Sequence, residues 1–181
     1  LSKLGYFVFK PNYRGSTGYG DAFLRDMVGH YFRQAHKDVM AGVDALIERG
    51  LVDGDRMAKM GWSAGGHMTN KIITHTDRFK AASSGAGAAN WISMYAQSDV
   101  RTYRTPWFGG SPWEEDAPID VYWEHSPLKD VSNVTTPTLF PGGPAGSAGA
   151  HASVRGDVAW REGPGSADAP VGRASGASWV A

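Results

Sequence analysis

The 181-residue chain contains no cysteine. This absence excludes a disulfide scaffold, a thiolate metal site and a cysteine nucleophile. The 18 basic side chains balance the 18 acidic ones, so the formal net charge of +0 gives no indication of a nucleic acid or an acidic membrane as partner. No apolar run approaches the roughly 20 residues that a membrane span needs. One globular domain is therefore the expectation for a chain of this length.

The last 41 residues lack most of the side chains that build a core. Residues 141–181 contain no Leu, Ile, Phe, Tyr or Met, and 28 of the 41 are Gly, Ala, Ser or Pro. Such a segment has too little apolar surface to offset the entropy lost on ordering. A Gly-, Ala-, Arg- and Pro-rich stretch is also what GC-rich DNA encodes in a wrong reading frame. The sequence predicts a partial domain at 1–140 and a tail at 141–181 that is disordered or out of frame.

Residues 1–140 alternate short apolar runs with amphipathic stretches. Strands are predicted at 6–9, 57–62 and 79–84, with one more beginning at 136. Helices are predicted at 34–49 and 65–76. Short strands that alternate with helices are typical of an α/β fold, in which helices cover both faces of a mostly parallel, doubly wound sheet.

The segment 61–66 reads Gly-Trp-Ser-Ala-Gly-Gly and matches the G-x-S-x-G motif of a nucleophile elbow. It falls where a predicted strand gives way to a predicted helix, and a serine on such a sharp turn projects above the sheet edge. The helix N-terminus favours developing negative charge, and the backbone N–H of Ala64 points to where an oxyanion would form. Ser63 is therefore the predicted nucleophile and Ala64 N–H the predicted oxyanion donor.

Two stretches together resemble the prolyl oligopeptidase family of serine peptidases: Lys-Pro-Asn-Tyr-Arg-Gly-Ser-Thr-Gly-Tyr-Gly at 10–20 and the motif at 61–66. Further similar stretches lie at 84–91, 105–110 and 126–140, so the resemblance covers residues 1–140. The branch with acylaminoacyl-peptidases and dipeptidyl-peptidases is the most similar. The resemblance implies an α/β-hydrolase catalytic domain, incomplete at both ends here, that follows an N-terminal β-propeller in the full-length protein.

The same resemblance implies hydrolysis of short peptides through an acyl-enzyme on Ser63, without a cofactor, a metal, a nucleic acid or a membrane. In the family a histidine activates the serine, an aspartate orients the histidine, and a loop upstream of residue 6 supplies a second oxyanion donor. The patterns for the aspartate and the histidine do not follow residue 140, and His151 lies in a tail that we do not expect to fold. We therefore expect impaired activity. A carboxylesterase of the same fold and a catalytically dead fragment or binding module remain alternatives.

Substrate contacts are predicted from the resemblance at three positions. Tyr103 and Trp107 lie in an aromatic stretch that helps to wall the pocket for the residue before the scissile bond, the alternative being that Trp107 packs in the core. His125 lies near the place where related enzymes hold a substrate carbonyl. His67 follows Ser63 by one helical turn and points along that helix, so we expect it to be packed or solvated rather than to act as the base.

Overall fold

A computed structural model describes residues 1–99, 101–141 and 179–180, without the side chains of Tyr103, Trp179 and Val180. The helices in these ranges are α1 (Asp21–Arg25), α2 (Ala35–Glu48), α3 (Ala64–Ile73), α4 (Trp91–Gln97), α5 (Arg101–Phe108) and α6 (Ile119–Glu124), together with short 3-10 helices at Ser2–Leu4 and Pro127–Asn133. The strands are β1 (Ala58–Trp62), β2 (Ala81–Gly85), β3 (Thr138–Leu139) and β4 (Trp179–Val180).

The four strands form one sheet in the order β3-β2-β1-β4. β1 pairs in parallel with β2, β2 pairs in parallel with β3, and β4 pairs antiparallel with β1. Trp62 at the end of β1 lies opposite Gly85 at the end of β2. The prediction of a mostly parallel sheet with intervening helices is confirmed, and the carboxyl ends of β1 and β2 meet at one edge.

Most of the predicted elements form within three residues of the predicted bounds. α2 buries Val39 and Val43 as its periodicity indicates, and the chain leaves the helix through Gly50, whose φ is +68°. α3 ends three residues earlier than predicted. The Thr74 hydroxyl donates a hydrogen bond to the carbonyl oxygen of Lys71 at 2.8 Å, the kind of local side-chain bond that competes with helix continuation.

The prediction of a buried strand at 6–9 is wrong. Phe9 makes only an isolated bridge, and Tyr6 and Phe7 are 52% and 44% exposed. Aromatic and β-branched residues fit a pleated surface, but a strand also needs a neighbour to accept its hydrogen bonds. None of the strands in the described ranges runs alongside residues 6–8, so this apolar run stays irregular.

The core lies around α3, of which nine of the ten residues are buried. Its largest buried apolar side chains are Met27, Tyr31, Phe32, Val39, Val43, Met57, Met68, Ile72, Phe79, Trp91, Phe108 and Tyr122. Because α3 begins directly after Ser63, this packing fixes the helix that carries the candidate site. None of the helices within the described ranges has the length and apolarity to cross a membrane.

The predicted tail at 141–181 falls outside the described residues, apart from Pro141 and the backbone of β4. His151 also falls outside them. The boundary at residue 140 and the disordered or out-of-frame origin of the tail therefore stay predictions.

Candidate active site

Ser63 connects the carboxyl end of β1 to the first residue of α3. Its backbone has φ 57° and ψ −118°, a combination that non-glycine residues rarely adopt and that stores strain. Two backbone hydrogen bonds hold the turn: the N–H of Ser63 donates to Gly85 O at 2.9 Å, and the carbonyl of Ser63 accepts from His67 N–H at 3.0 Å. The structure thus gives Ser63 the sharp strand-to-helix turn that the motif predicts.

Two glycines of the segment 61–66, Gly61 of the motif and Gly66 directly after it, are explained by close backbone contacts. A Cβ atom on Gly61 would lie 2.2 Å from the carbonyl oxygen of Gly65, and one on Gly66 would lie 2.3 Å from that of Gly85. Both distances are far shorter than a van der Waals contact. Both carbonyl groups belong to the backbone, so they cannot move away as the end of a flexible side chain could. Glycine at these two positions therefore allows α3 to pack closely against β1 and β2.

Ser63 and Ala64 are both exposed at the sheet edge. The first N–H groups of a helix have no acceptor within the helix, and Ala64 supplies the first of these in α3. An anion next to this end of α3 is favoured by the partial positive charge of the helix N-terminus. The arrangement can therefore present a hydroxyl and a backbone donor to the same carbonyl group.

His67 is packed, as predicted, and does not reach towards the serine hydroxyl. Its Nδ1 lies 2.8 Å from the carbonyl oxygen of Ala88, to which it donates, and its ring centroid lies 4.9 Å from that of Phe32 and 4.8 Å from that of Trp91. Burial lowers the pKa of His67 to about 3. A ring that binds a proton so weakly is a poor general base at neutral pH.

The three predicted substrate-contact residues have different surroundings. His125 is 6% exposed, and burial, followed by the charge of Lys71, lowers its pKa to about 4. Trp107 is half-buried against the core, and its carbonyl accepts the N–H of Gly29 at 2.8 Å. Tyr103 lies in α5, but its side chain falls outside the described residues. The predicted role of each in substrate binding stays a prediction.

An aromatic cluster beside the turn was not predicted. Trp91 packs against His67, and the guanidinium carbon of Arg104 lies 4.8 Å from the Trp91 ring centroid. Arg104 also donates a hydrogen bond to the Tyr31 hydroxyl at 2.7 Å. Trp91, Arg104 and Phe108 line a small cavity. The spacing of 101, 104 and 108 along one helical face would have indicated a shared surface on α5.

Sequence reasoning also missed Lys59, which is fully buried in β1. Its Nζ donates to the carbonyl oxygen of Met60 at 3.0 Å and to the hydroxyl of Thr69 at 3.1 Å. Burial lowers the pKa of this amine to about 7. Within the described ranges, no carboxylate forms an ion pair with it. The sequence did carry a signal for this buried amine, namely a lysine within a segment predicted to be a buried strand.

No group of three or more potential metal ligands occurs in the described part of the chain. Among those same residues, several histidines and carboxylates form hydrogen bonds or ion pairs with other groups, and no hydrogen bond joins a histidine or a carboxylate to the hydroxyl of Ser63. The candidate site as described therefore consists of a positioned serine and backbone donors.

The family model for the prolyl oligopeptidase family matches residues 1–145. The chain belongs to this family. It is 40% identical over 141 residues to the uncharacterized peptidase YuxL of Bacillus subtilis and 34% identical over 150 residues to the acylamino-acid-releasing enzyme of Arabidopsis thaliana. Each alignment covers 77% of this chain, but only 21% and 19% of the respective relative. The chain thus spans about a fifth of the length of these curated relatives.

Solved structures agree with this family assignment. The acylaminoacyl peptidase of Pyrococcus horikoshii superposes with a TM-score of 0.65 at 31% sequence identity, over 71% of this chain and 21% of that one. This match confirms the α/β-hydrolase fold expected from the resemblance. It also confirms the predicted resemblance to the branch of the prolyl oligopeptidase family that contains acylaminoacyl-peptidases.

Proposed function

We propose that Ser63 is the nucleophile of a serine peptidase site and that the backbone N–H of Ala64 donates to the oxyanion. The strained turn that projects Ser63 between β1 and α3 carries this proposal. Ser63 Oγ would attack the peptide carbonyl while a base takes its proton. The tetrahedral oxyanion would then collapse, the C–N bond would break, and the base would return the proton to the departing amine. Water would then hydrolyse the acyl-serine, releasing the acid and restoring the hydroxyl.

Short peptides are the proposed substrates. The relatives bear names such as acylamino-acid-releasing enzyme and dipeptidyl-peptidase, which describe release of small units from peptide ends. Tyr103, Trp107 and His125 are proposed to contact the residue before the scissile bond. An N-terminal β-propeller in the full-length protein is proposed from the family resemblance and from the small fraction of the relatives' length that this chain spans.

Turnover by this chain is proposed to be nearly absent. In the described part of the chain no histidine hydrogen bonds to Ser63 Oγ, and the buried rings of His67 and His125 bind protons weakly, with pKa values lowered by burial to about 3 and about 4. Removing the histidine from a comparable triad costs on the order of 10⁶ in kcat. The positioned serine would then react only slowly with a peptide bond.

A fluorophosphonate probe tests the proposal, because it phosphonylates activated serines without needing deacylation. We expect slow labelling that peptide mapping by mass spectrometry locates at Ser63, and faster labelling when imidazole is added as an external base. Ser63→Ala should abolish this signal, whereas replacing the exposed Ser132 in Ser132→Ala should leave it unchanged. Labelling that survives in Ser63→Ala, or that imidazole does not accelerate, would contradict the assignment and favour the catalytically dead alternative.

A further inference from the structure

Lys59 lies in β1, the strand that leads into the turn at Ser63, and takes no part in the proposed chemistry. Its residue is 0% exposed, although the side chain ends in an amine. Burying such a group without a counter-charge is unfavourable, because the amine loses its water. The described residues give the Lys59 amine hydrogen-bond acceptors but no carboxylate. Ion pairing therefore does not account for its buried position.

The donors and acceptors around the Lys59 amine are compatible with one another. The Thr69 hydroxyl donates to the carbonyl oxygen of Gly65 at 2.9 Å. Its oxygen is therefore free to accept a hydrogen from Lys59 Nζ at 3.1 Å. The same Nζ donates to the carbonyl oxygen of Met60 at 3.0 Å. One amine thus joins the β1 backbone to a hydroxyl that is bonded to the first turn of α3.

These contacts lie on both sides of the strained residue. Met60 precedes Ser63 by three positions, and Gly65 follows it by two. A backbone conformation with φ 57° at a serine persists only where the surroundings hold it. The amine and the hydroxyl thus connect the two arms of the turn through buried side chains, whereas Ser63 itself is exposed.

We propose that Lys59 is a positioning residue for Ser63, which acts through Met60 and Thr69 to hold β1 and α3 in the arrangement that the turn requires. This inference rests on the proposed function of Ser63. It assigns Lys59 no contact with substrate. It predicts that loss of the amine changes the reactivity of Ser63 and the stability of the fold in opposite directions.

Lys59→Met is the first test, because methionine retains much of the buried volume and removes the amine. We expect a higher thermal midpoint and about tenfold slower labelling of Ser63 by the fluorophosphonate in imidazole buffer. Lys80→Met, which replaces an exposed lysine, is the matched control and should change neither value appreciably. A merely structural role would lower stability and reactivity together, and that outcome would overturn the proposal.

Thr69 provides a second pair of variants. Thr69→Val keeps the shape but removes the hydroxyl that joins Lys59 to Gly65, so labelling should slow about tenfold. Thr69→Ser keeps the hydroxyl and should stay within about twofold of the wild-type rate. Circular dichroism at the labelling temperature establishes that each variant is folded. Equal labelling rates in wild type, Thr69→Val and Lys59→Met would overturn the proposal.

Amide hydrogen exchange gives a readout that needs no reaction at Ser63. In Lys59→Met the N–H groups of Ser63 and His67, which close the turn, should exchange faster than in wild type although the global stability is higher. Unchanged or slower exchange at both positions would refute the positioning role. Absence of labelling in the wild-type chain would refute the proposed function, and the exchange rates would still decide the role of Lys59.

Discussion

Replacing Lys59 should stabilise the fold in a strongly pH-dependent way. Burial lowers the pKa of its amine from 10.5 to about 7. Each unit of pKa shift corresponds to about 1.4 kcal/mol, so the folded chain gives up on the order of 5 kcal/mol of stability to keep this side chain inside at low pH. The amine is fully buried, so solvent screening removes little of this cost.

The folded and unfolded chains bind different numbers of protons at Lys59, and this difference sets the direction of the pH dependence. Between pH 7 and 10.5 the unfolded chain holds the lysine proton and the folded chain does not, so the contribution of Lys59 to folding stability becomes less unfavourable as pH rises. Below pH 7 the whole cost is present. Lys59→Met should therefore be more stable than wild type by several kcal/mol at pH 6, and the difference should shrink towards pH 10.

Urea denaturation from pH 6 to pH 10 measures this difference directly. Wild type, Lys59→Met and the surface control Lys80→Met should be compared under the same conditions, so that the other titrating groups cancel. Parallel stability curves for wild type and Lys59→Met, separated by the same free energy at every pH, would contradict this expectation. So would a Lys59→Met variant that is less stable at pH 6.

Three further predictions concern the same core and turn. Burial lowers the pKa values of His67 and His125 from 6.5 to about 3 and about 4. The folding stability that comes from keeping these rings neutral is therefore fully present above pH 6.5 and is lost as the pH falls towards 4. Circular dichroism between pH 7 and 4 would detect this loss. Gly66→Ala should destabilise by about 1–3 kcal/mol in urea denaturation, because its Cβ would lie 2.3 Å from Gly85 O. Ser63→Gly should raise stability by about 1 kcal/mol through relief of the positive φ, whereas Ser63→Ala should not, and equal thermal midpoints for the two would count against strain at this residue.

The turn around Ser63 was predictable because its determinants are local. A buried strand, two flanking glycines and a helix start all lie within a few positions of the serine, and the structure places them as the motif indicates. The helix α2 was predictable for the same reason, since its apolar periodicity is contained in its own residues. Local patterns therefore located the elements that form the candidate site.

The predictions fail where residues that are distant in the sequence determine the structure. The run at 6–9 has the composition of a strand, but pairing depends on neighbours that composition does not reveal. The cluster of Trp91 and Arg104 beside His67 joins three helices, and no single segment shows that they meet. Lys59 was overlooked because its acceptors, the hydroxyl of Thr69 above all, come from the following helix. Tertiary packing supplied what the sequence pattern did not.

The most direct measurement is the rate at which a fluorophosphonate labels Ser63 compared with the exposed Ser132 in the same folded sample with imidazole. Both serines are accessible, so accessibility alone gives similar rates. We expect the strained turn and the N-terminus of α3 to make labelling of Ser63 at least about 100-fold faster, since oxyanion donors of this kind contribute about that much. Comparable rates at the two serines would contradict the assignment of Ser63 as a nucleophile.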